Sequence, residues 1–374
     1  MNSPQLSNDP GQQALSTLIQ RSIANAGGWL GFDRFMALAL YAPGLGYYAN
    51  HLRKFGLTPE SGSDFATAPE MSTHFGRSLG NQVAEALQVT GSDAVWEFGA
   101  GSGALALQLL NHLGDQVKRY TIVDLSGSLR ERQQTTLQAH AHKVQWVDAL
   151  PEQLSGVVVG NEVLDAMPVQ LLVRTGGVWH ERGVVWQADA PQWADRVTEL
   201  RPPVEVPGEH DYLTEIHPQA EAFVATLADR FKAGEAATGK GGAAFLIDYG
   251  FPETEYFHPQ RSMGTLMCHK LHKSDTDPLV DVGGKDITAH VNFTGVALAA
   301  QDAGLYVLGY TSQAHFLINC GLLPPLVDAP LDEKTMAQKL ITEHEMGELF
   351  KVVAFGTTEW EPLGFAHGDR TYAL

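Results

Sequence analysis

Apolar residues recur along this chain in two rhythms. From Gln12 to Asn25 they fall three and four apart, at Leu15, Leu18, Ile19 and Ile23, and Gly27-Gly28 closes the run. That spacing puts them on one face and predicts a helix. Phe32, Phe35, Met36 and Leu40 repeat it, and a further helix is predicted near 72–88. After about residue 90 short apolar runs alternate with helical stretches. VWEF (95–98), YTIVD (120–124), VQWV (144–147), VVVG (157–160), AAFLIDYG (243–250), YVLGY (306–310) and KVVAFGT (351–357) read as strands. Helices are predicted over 104–113, 127–141, 218–232 and 293–304. Strands separated by helices imply parallel βαβ units and an α/β fold.

Residues 169–205 break this alternation. LLVR, a Gly176-Gly177 turn, VWHERGVVWQ and VTEL read as antiparallel hairpins. Residues 251–293 show little periodicity and are too long for an ordinary connection, so they read as a functional loop region. The division expected is a helical N-terminal extension with a lid loop (1–80), a Rossmann-like half (81–168), an inserted β-rich subdomain (169–240) and the remainder of the sheet (241–374). Residues 1–11 read as a disordered lead.

Composition narrows the function. Hydrophobic residues make up 44% and charged residues 18%, enough for a sizeable core. The formal net charge is −18 at pH 7. Nucleic-acid binding draws on cations that neutralise phosphates, so this surface disfavours DNA or RNA and favours a basic protein partner. Cys268 and Cys320 build neither a disulfide framework nor a zinc cluster. No run of about 18 apolar residues is present. The polar, Arg-poor start predicts a cytoplasmic location. A homodimer is compatible with the sequence.

The strongest chemical signal is V-W-E-F-G-A-G-S-G-A (95–104). Gly99, Gly101 and Gly103 follow a strand and open a helix, where missing side chains let the backbone approach a ligand. Asp124 closes the next strand, 20 residues after Ala104, a spacing that suits a carboxylate on ribose hydroxyls. Gly99-x-Gly101-x-x-Ala104 also satisfies the dinucleotide fingerprint. Glu97 separates the two ligands. A carboxylate two residues before the first glycine would repel a pyrophosphate, whereas S-adenosylmethionine carries no phosphate and presents an ammonium and a sulfonium. Asp148, at the end of the following strand, is placed to bond the adenine amino group. Two alternatives stay open: a nicotinamide oxidoreductase, and a hydrolase elbow at Ala100–Ala104 with Asp248 and a later histidine.

GSDFATAPEMSTHFG (62–76), EFGAGSGALA (97–106), GNEVLDAMP (160–168), FLIDYGF (245–251) and DITAHVNF (286–293), in this order, resemble the MidA-like methyltransferases. The resemblance covers nearly the whole chain. It implies a class I methyltransferase sheet of the seven-stranded type with insertions, and S-adenosyl-L-methionine as donor. For the mitochondrial member it implies a protein arginine as acceptor, on a respiratory complex I subunit. By matching position it points to Thr67, Pro69, Glu70, Glu97, Gly99, Gly101, Asp124, Asn161 and Glu162.

Transfer from an activated donor asks the enzyme mainly for alignment and desolvation. A guanidinium acceptor also needs carboxylates in fork geometry and an exit for a proton. The loop 160–168 follows a strand at the carboxyl edge of a parallel sheet, where ligands bind. Glu162 and Asp165 are three apart, so a helical turn would set both on one face to grip the guanidinium. Asn161 would offer its amide oxygen to the reacting nitrogen. The competing reading is an acidic turn with Asp165 on the surface. Asp64 to Glu70 reads as a lid over the methionyl end of the donor, or else as a helix start capped by Ser72 or Thr73. Tyr41, Tyr47 and Tyr48 are either a cation–π wall or turn packing. Asp248, His269, His272 and His290 are candidates for the acceptor side. A scaffold that keeps the donor site but works by binding a partner is the other functional class.

Overall fold

The structure, a computed structural model, describes residues 9–50, 67–124 and 127–374. Its chain forms two compact units. One holds Met1–Phe65, Asp165–Ala220 and Phe251–Asn292; the other holds Ala66–Leu164, Glu221–Gly250 and Phe293–Leu374. The sequence-based division into four consecutive segments groups the residues differently, because two long excursions leave the sheet unit and pack with the N-terminal helices.

The main path of the sheet, among the described residues, runs through β1 (Ala94–Phe98), β2 (Arg119–Val123), β3 (Val144–Val147), β4 (Gly156–Asn161), β5 (Gly242–Phe251), β6 (Tyr306–Ser312) and β7 (Phe350–Gly356). Their order is β3-β2-β1-β4-β5-β7-β6. All neighbouring pairs are parallel except those of β7, which runs antiparallel to both β5 and β6. Strand order therefore reverses between β1 and β4, the switch point whose carboxyl edge opens a crevice for ligands. The central strands are apolar throughout because both faces are covered. Val95, Val157, Val159, Phe245, Ile247 and Val352 join one buried cluster with Phe75, Leu79 and Val83 of the helix Thr73–Thr90 and Leu105 and Leu109 of the helix Ala104–Leu113. Each such side chain contributes about 1.5–3 kcal/mol by leaving water.

The other unit pairs its helices with antiparallel sheet. Pro10–Asn25 and Phe32–Tyr41 bury Leu15, Ile19, Phe35 and Met36 in a core shared with Leu171 and Val184. Gln170–Thr175, Val178–Gln187, Ala190–Val197 and Tyr212–Ile216 form antiparallel pairs, with Leu30–Gly31 on an edge. Gly176 and Gly177 make the expected turn, both with positive φ. The next hairpin differs from expectation. Its returning strand is Ala190–Val197, ahead of most of VTEL, and turns at Ala188-Asp189, which take positive φ without glycine. The supposed loop 251–293 also differs. It carries a short helix, Glu253–Tyr256, and a three-stranded sheet of Lys273–Asp275, Met267–Lys270 and Asp286–Thr288. Strands of three and four residues are too short to show alternation.

Candidate active site

The glycine turn leaves β1 at its carboxyl end. Gly99, Gly101 and Gly103 have φ of 63°, 52° and 85°, so each sits where a side chain is strained. No Cβ projects from the turn at these points, which leaves backbone to face a ligand. The turn is held from both sides. Ser102 donates its hydroxyl to Glu70 Oε1, and its carbonyl accepts from Thr136 Oγ1 at 2.9 Å. Gly101 O accepts from Gln133 Nε2 at 3.1 Å. Among the described residues Ser102 therefore bonds to Glu70 and to no histidine, which is not the arrangement of a nucleophile elbow.

Glu70 lies in the short helix Ala68–Met71, of which Thr67 is the N-terminal flank. The neighbouring Pro69 is buried, and its carbonyl accepts from Gln108 Nε2 at 2.8 Å. The carbonyl oxygen of the same glutamine accepts from Gly76 N at 2.9 Å. The segment after Thr67 is thus anchored to the glycine turn and to the helix that follows it. Ser72 does cap the next helix, accepting from His74 N at 3.3 Å, as the helix-start reading of this segment expects. Asp64 and the rest of 51–66 lie outside the described residues.

Glu97 sits inside β1 and is 2% exposed. Its Oε2 accepts from the Tyr120 hydroxyl at 2.7 Å. Burial pushes its carboxyl up to about 8, the Tyr120 hydrogen bond pulls it back, and the Asp124 charge adds to the rise. Asp124 follows β2, and its Oδ2 accepts from Gln133 Nε2 at 2.8 Å. Asp148 projects past β3 and is paired with the Arg130 guanidinium. A phosphate-free cation fits this set: a carboxylate held partly neutral beside the turn gains from a positive ligand, and would be penalised further by an anion.

The second loop leaves β4 beside the first. Asn161 donates Nδ2 to Glu162 Oε1 at 2.9 Å, while its buried Oδ1 has no hydrogen-bond partner among the described residues. Glu162 has φ 56°, a left-handed conformation that costs a non-glycine residue about 1–2 kcal/mol. The expected helical turn over 162–165 is absent: this φ breaks it, and bends and turns follow. Instead, Val163 N and Leu164 N donate to Asp248 Oδ2 at 3.0 and 2.8 Å. Asp248 is 1% exposed, so its task is to hold this loop.

Asp165 begins a stretch of the other unit. It is buried, contrary to the surface reading, and its carbonyl accepts from Ala289 N at 2.9 Å. In that unit Tyr41 and Tyr48 stack at 5.6 Å, and Tyr47 meets Tyr48 edge-on at 5.0 Å. The Tyr41 hydroxyl donates to Ala166 O and the Tyr48 hydroxyl to Asp286 Oδ2, both at 2.8 Å. His269 lies in the strand Met267–Lys270, with burial lowering its affinity for a proton. His272 occupies a positive-φ turn, and His290 lies against Phe251.

The sequence reading missed Tyr120, Gln108 and Gln133. Tyr120 carried a faint signal, an aromatic hydroxyl in the strand that leads to Asp124. The glutamines carried none, being ordinary helix residues, Gln108 in an apolar helix and Gln133 in a polar one.

Residues 78–311 match the model of a family described as "Putative S-adenosyl-L-methionine-dependent methyltransferase". The chain is 26% identical over 386 residues to the mitochondrial protein arginine methyltransferase NDUFAF7 homolog of Caenorhabditis elegans, covering 90% of this chain and 87% of that one. It is 27% identical over 383 residues to the mitochondrial protein arginine methyltransferase NDUFAF7 of Homo sapiens, covering 91% and 81%. The crystal structure of a Burkholderia thailandensis protein bound to S-adenosyl-homocysteine superposes with a TM-score of 0.91 at 46% identity, covering 98% of this chain and 99% of that chain.

Proposed function

Because the chain belongs to the S-adenosyl-L-methionine-dependent methyltransferase family and so uses that donor, we propose that its acceptor is an arginine side chain of a protein. The observation that carries this reading is Asn161: a buried amide oxygen without a hydrogen-bond partner among the described residues, beside a glutamate held in a strained backbone, at the carboxyl edge of the sheet. A guanidinium brings N–H donors and positive charge, which an amide oxygen and a carboxylate accept together. The curated relatives named as protein arginine methyltransferases support the same acceptor.

When bound, the donor supplies a methyl group on a sulfonium. Gly99, Gly101 and Gly103 would face it with bare backbone, Glu97 would offset its positive charge, and Asp124 would take its ribose. Asn161 Oδ1 and the Glu162 carboxylate would orient one guanidinium nitrogen. Holding that nitrogen's protons favours its lone pair and marks the path by which one proton leaves. A respiratory complex I subunit is the first acceptor to test, as the family resemblance implies. A cytoplasmic location belongs to the same proposal, although the human and nematode relatives are named mitochondrial.

The test is mass spectrometry of methylated arginines in cells with and without this protein, complex I subunits first. The proposal expects at least one arginine to lose its methyl groups. Loss confined to lysine or to another residue type would end the arginine reading while leaving the methyltransferase intact.

A further inference from the structure

Gln133 lies in the helix Gly127–Thr136, outside every motif described above, and is fully buried. Its amide is engaged at both ends. Nε2 donates to Asp124 Oδ2 at 2.8 Å and to Gly101 O at 3.1 Å, and Oε1 accepts from Trp146 Nε1 at 2.9 Å. The three partners come from the loop after β2, the glycine turn after β1, and β3. A side-chain amide has two N–H donors and one carbonyl oxygen. Turned over, it would set that oxygen against a carboxylate and a carbonyl, and its N–H groups against an indole N–H. The network therefore admits one orientation.

We propose that Gln133 is the positioning residue of the donor site: through Asp124 it sets the direction from which a carboxylate meets the ribose hydroxyls. The same amide fixes the glycine turn to that carboxylate, so turn and acid move as one piece. Thr136, one helical turn on, adds a second tie through Ser102 O. Fixing a carboxylate before the ligand arrives removes the ordering that binding would otherwise require. The proposal rests on the reading of Asp124 as the ribose ligand, and the test separates the two.

The experiment titrates the full-length protein with S-adenosylhomocysteine and with its 2′,3′-dideoxy analogue, and reads the ratio of the two dissociation constants. Wild type should prefer the hydroxylated ligand. Gln133→Met keeps the volume and removes every hydrogen bond; it should cut the preference about tenfold, the scale of one hydrogen bond to a charged group. Asp124→Asn should cut it at least as far. A residue that merely supports the fold would weaken both ligands equally and leave the ratio alone. If Asp124→Asn leaves the ratio unchanged, the ribose reading fails, and the proposal with it. If Asp124→Asn collapses the ratio while Gln133→Met does not, the reading stands and the proposal is overturned. Trp146→Phe guards against a Gln133 variant that does not fold. It keeps an aromatic ring, removes the indole N–H and frees the amide to turn; the expected fall in the ratio is about threefold, and an unchanged ratio overturns the proposal.

Discussion

A Cβ placed on Gly99 would lie 3.0 Å from Cγ2 of Val163, and one placed on Gly160 would lie 3.3 Å from the same methyl group. Val163 thus packs over the end of β1 and the end of β4 together. One valine links the glycine turn with the loop that carries Asn161 and Glu162.

Substituting Gly99 therefore has two costs, and substituting Gly103 has one. Both glycines have positive φ, but the nearest atoms to a Cβ on Gly103 are 3.5 Å away. Gly103→Ala should lose about 1–2 kcal/mol from backbone strain. Gly99→Ala should lose more and should also displace Val163, lowering donor affinity and transfer rate together. Thermal denaturation and S-adenosylhomocysteine titration read this out. Equal costs for the two alanines would mean that the contact with Val163 carries no weight.

The Glu97 carboxyl gives the protein a pH dependence of definite sign. Its folded value of about 8 lies above the ordinary 4.5. Between those values the native state holds a proton that the unfolded chain has lost, so stability should fall as pH rises through that window and level off above it. A cationic donor favours the ionised form. Its binding should release protons, and affinity should rise with pH toward 8, by at most about tenfold per unit. Glu97→Gln should flatten both curves. Urea melts and calorimetric titrations across the window decide the matter; flat wild-type curves would mean that Glu97 neither titrates there nor feels the ligand.

Asn161 and Glu162 should act on transfer and not on donor binding. Asn161→Ala and Glu162→Gln are expected to lower methyl transfer about 100-fold or more, with S-adenosylhomocysteine affinity changed by less than about threefold. Glu162→Gln also separates catalysis from scaffolding: a partner that matures normally without methylation would assign the biological role to binding. Glu162→Gly should relieve the left-handed strain, raising stability by up to about 1 kcal/mol while abolishing transfer. A large loss of stability in that variant would contradict the strain at φ 56°.

Asp248 should matter through the loop it holds. Asp248→Ala leaves two amides, Val163 N and Leu164 N, without their acceptor. The expected cost is about 2–4 kcal/mol, with Asp248→Asn costing less because it keeps an oxygen. Hydrogen exchange at those two amides should quicken in the alanine variant. Exchange at wild-type rates would show that the loop is held by something else.

Much of the sheet was legible because its evidence is local. Apolar runs at 95–98, 144–147 and 157–160 coincide with β1, β3 and β4 to within a residue or so. The glycine turn and the later aspartate were legible as well, since a backbone that must take positive φ leaves a mark in residue type. Turns that adopt positive φ without glycine, at Ala188-Asp189 and Leu271-His272, left no such mark, and the strands they join were misplaced or missed. Glu162 hid its conformation in the same way, which is why a helical turn was expected there.

By itself the sequence determined the order of the strands in the sheet unit and the position of the glycine turn, because periodicity and backbone freedom act over a few neighbouring residues. Only the tertiary structure decided that Glu97 is enclosed and holds a proton more tightly than a free carboxyl, that Asp165 is buried, that Asp248 caps a loop more than eighty positions away, and that Gln133 joins three strand ends. Those facts depend on which distant segments exclude water from a group and which donors they bring to it, and burial of that kind is a property of the folded arrangement.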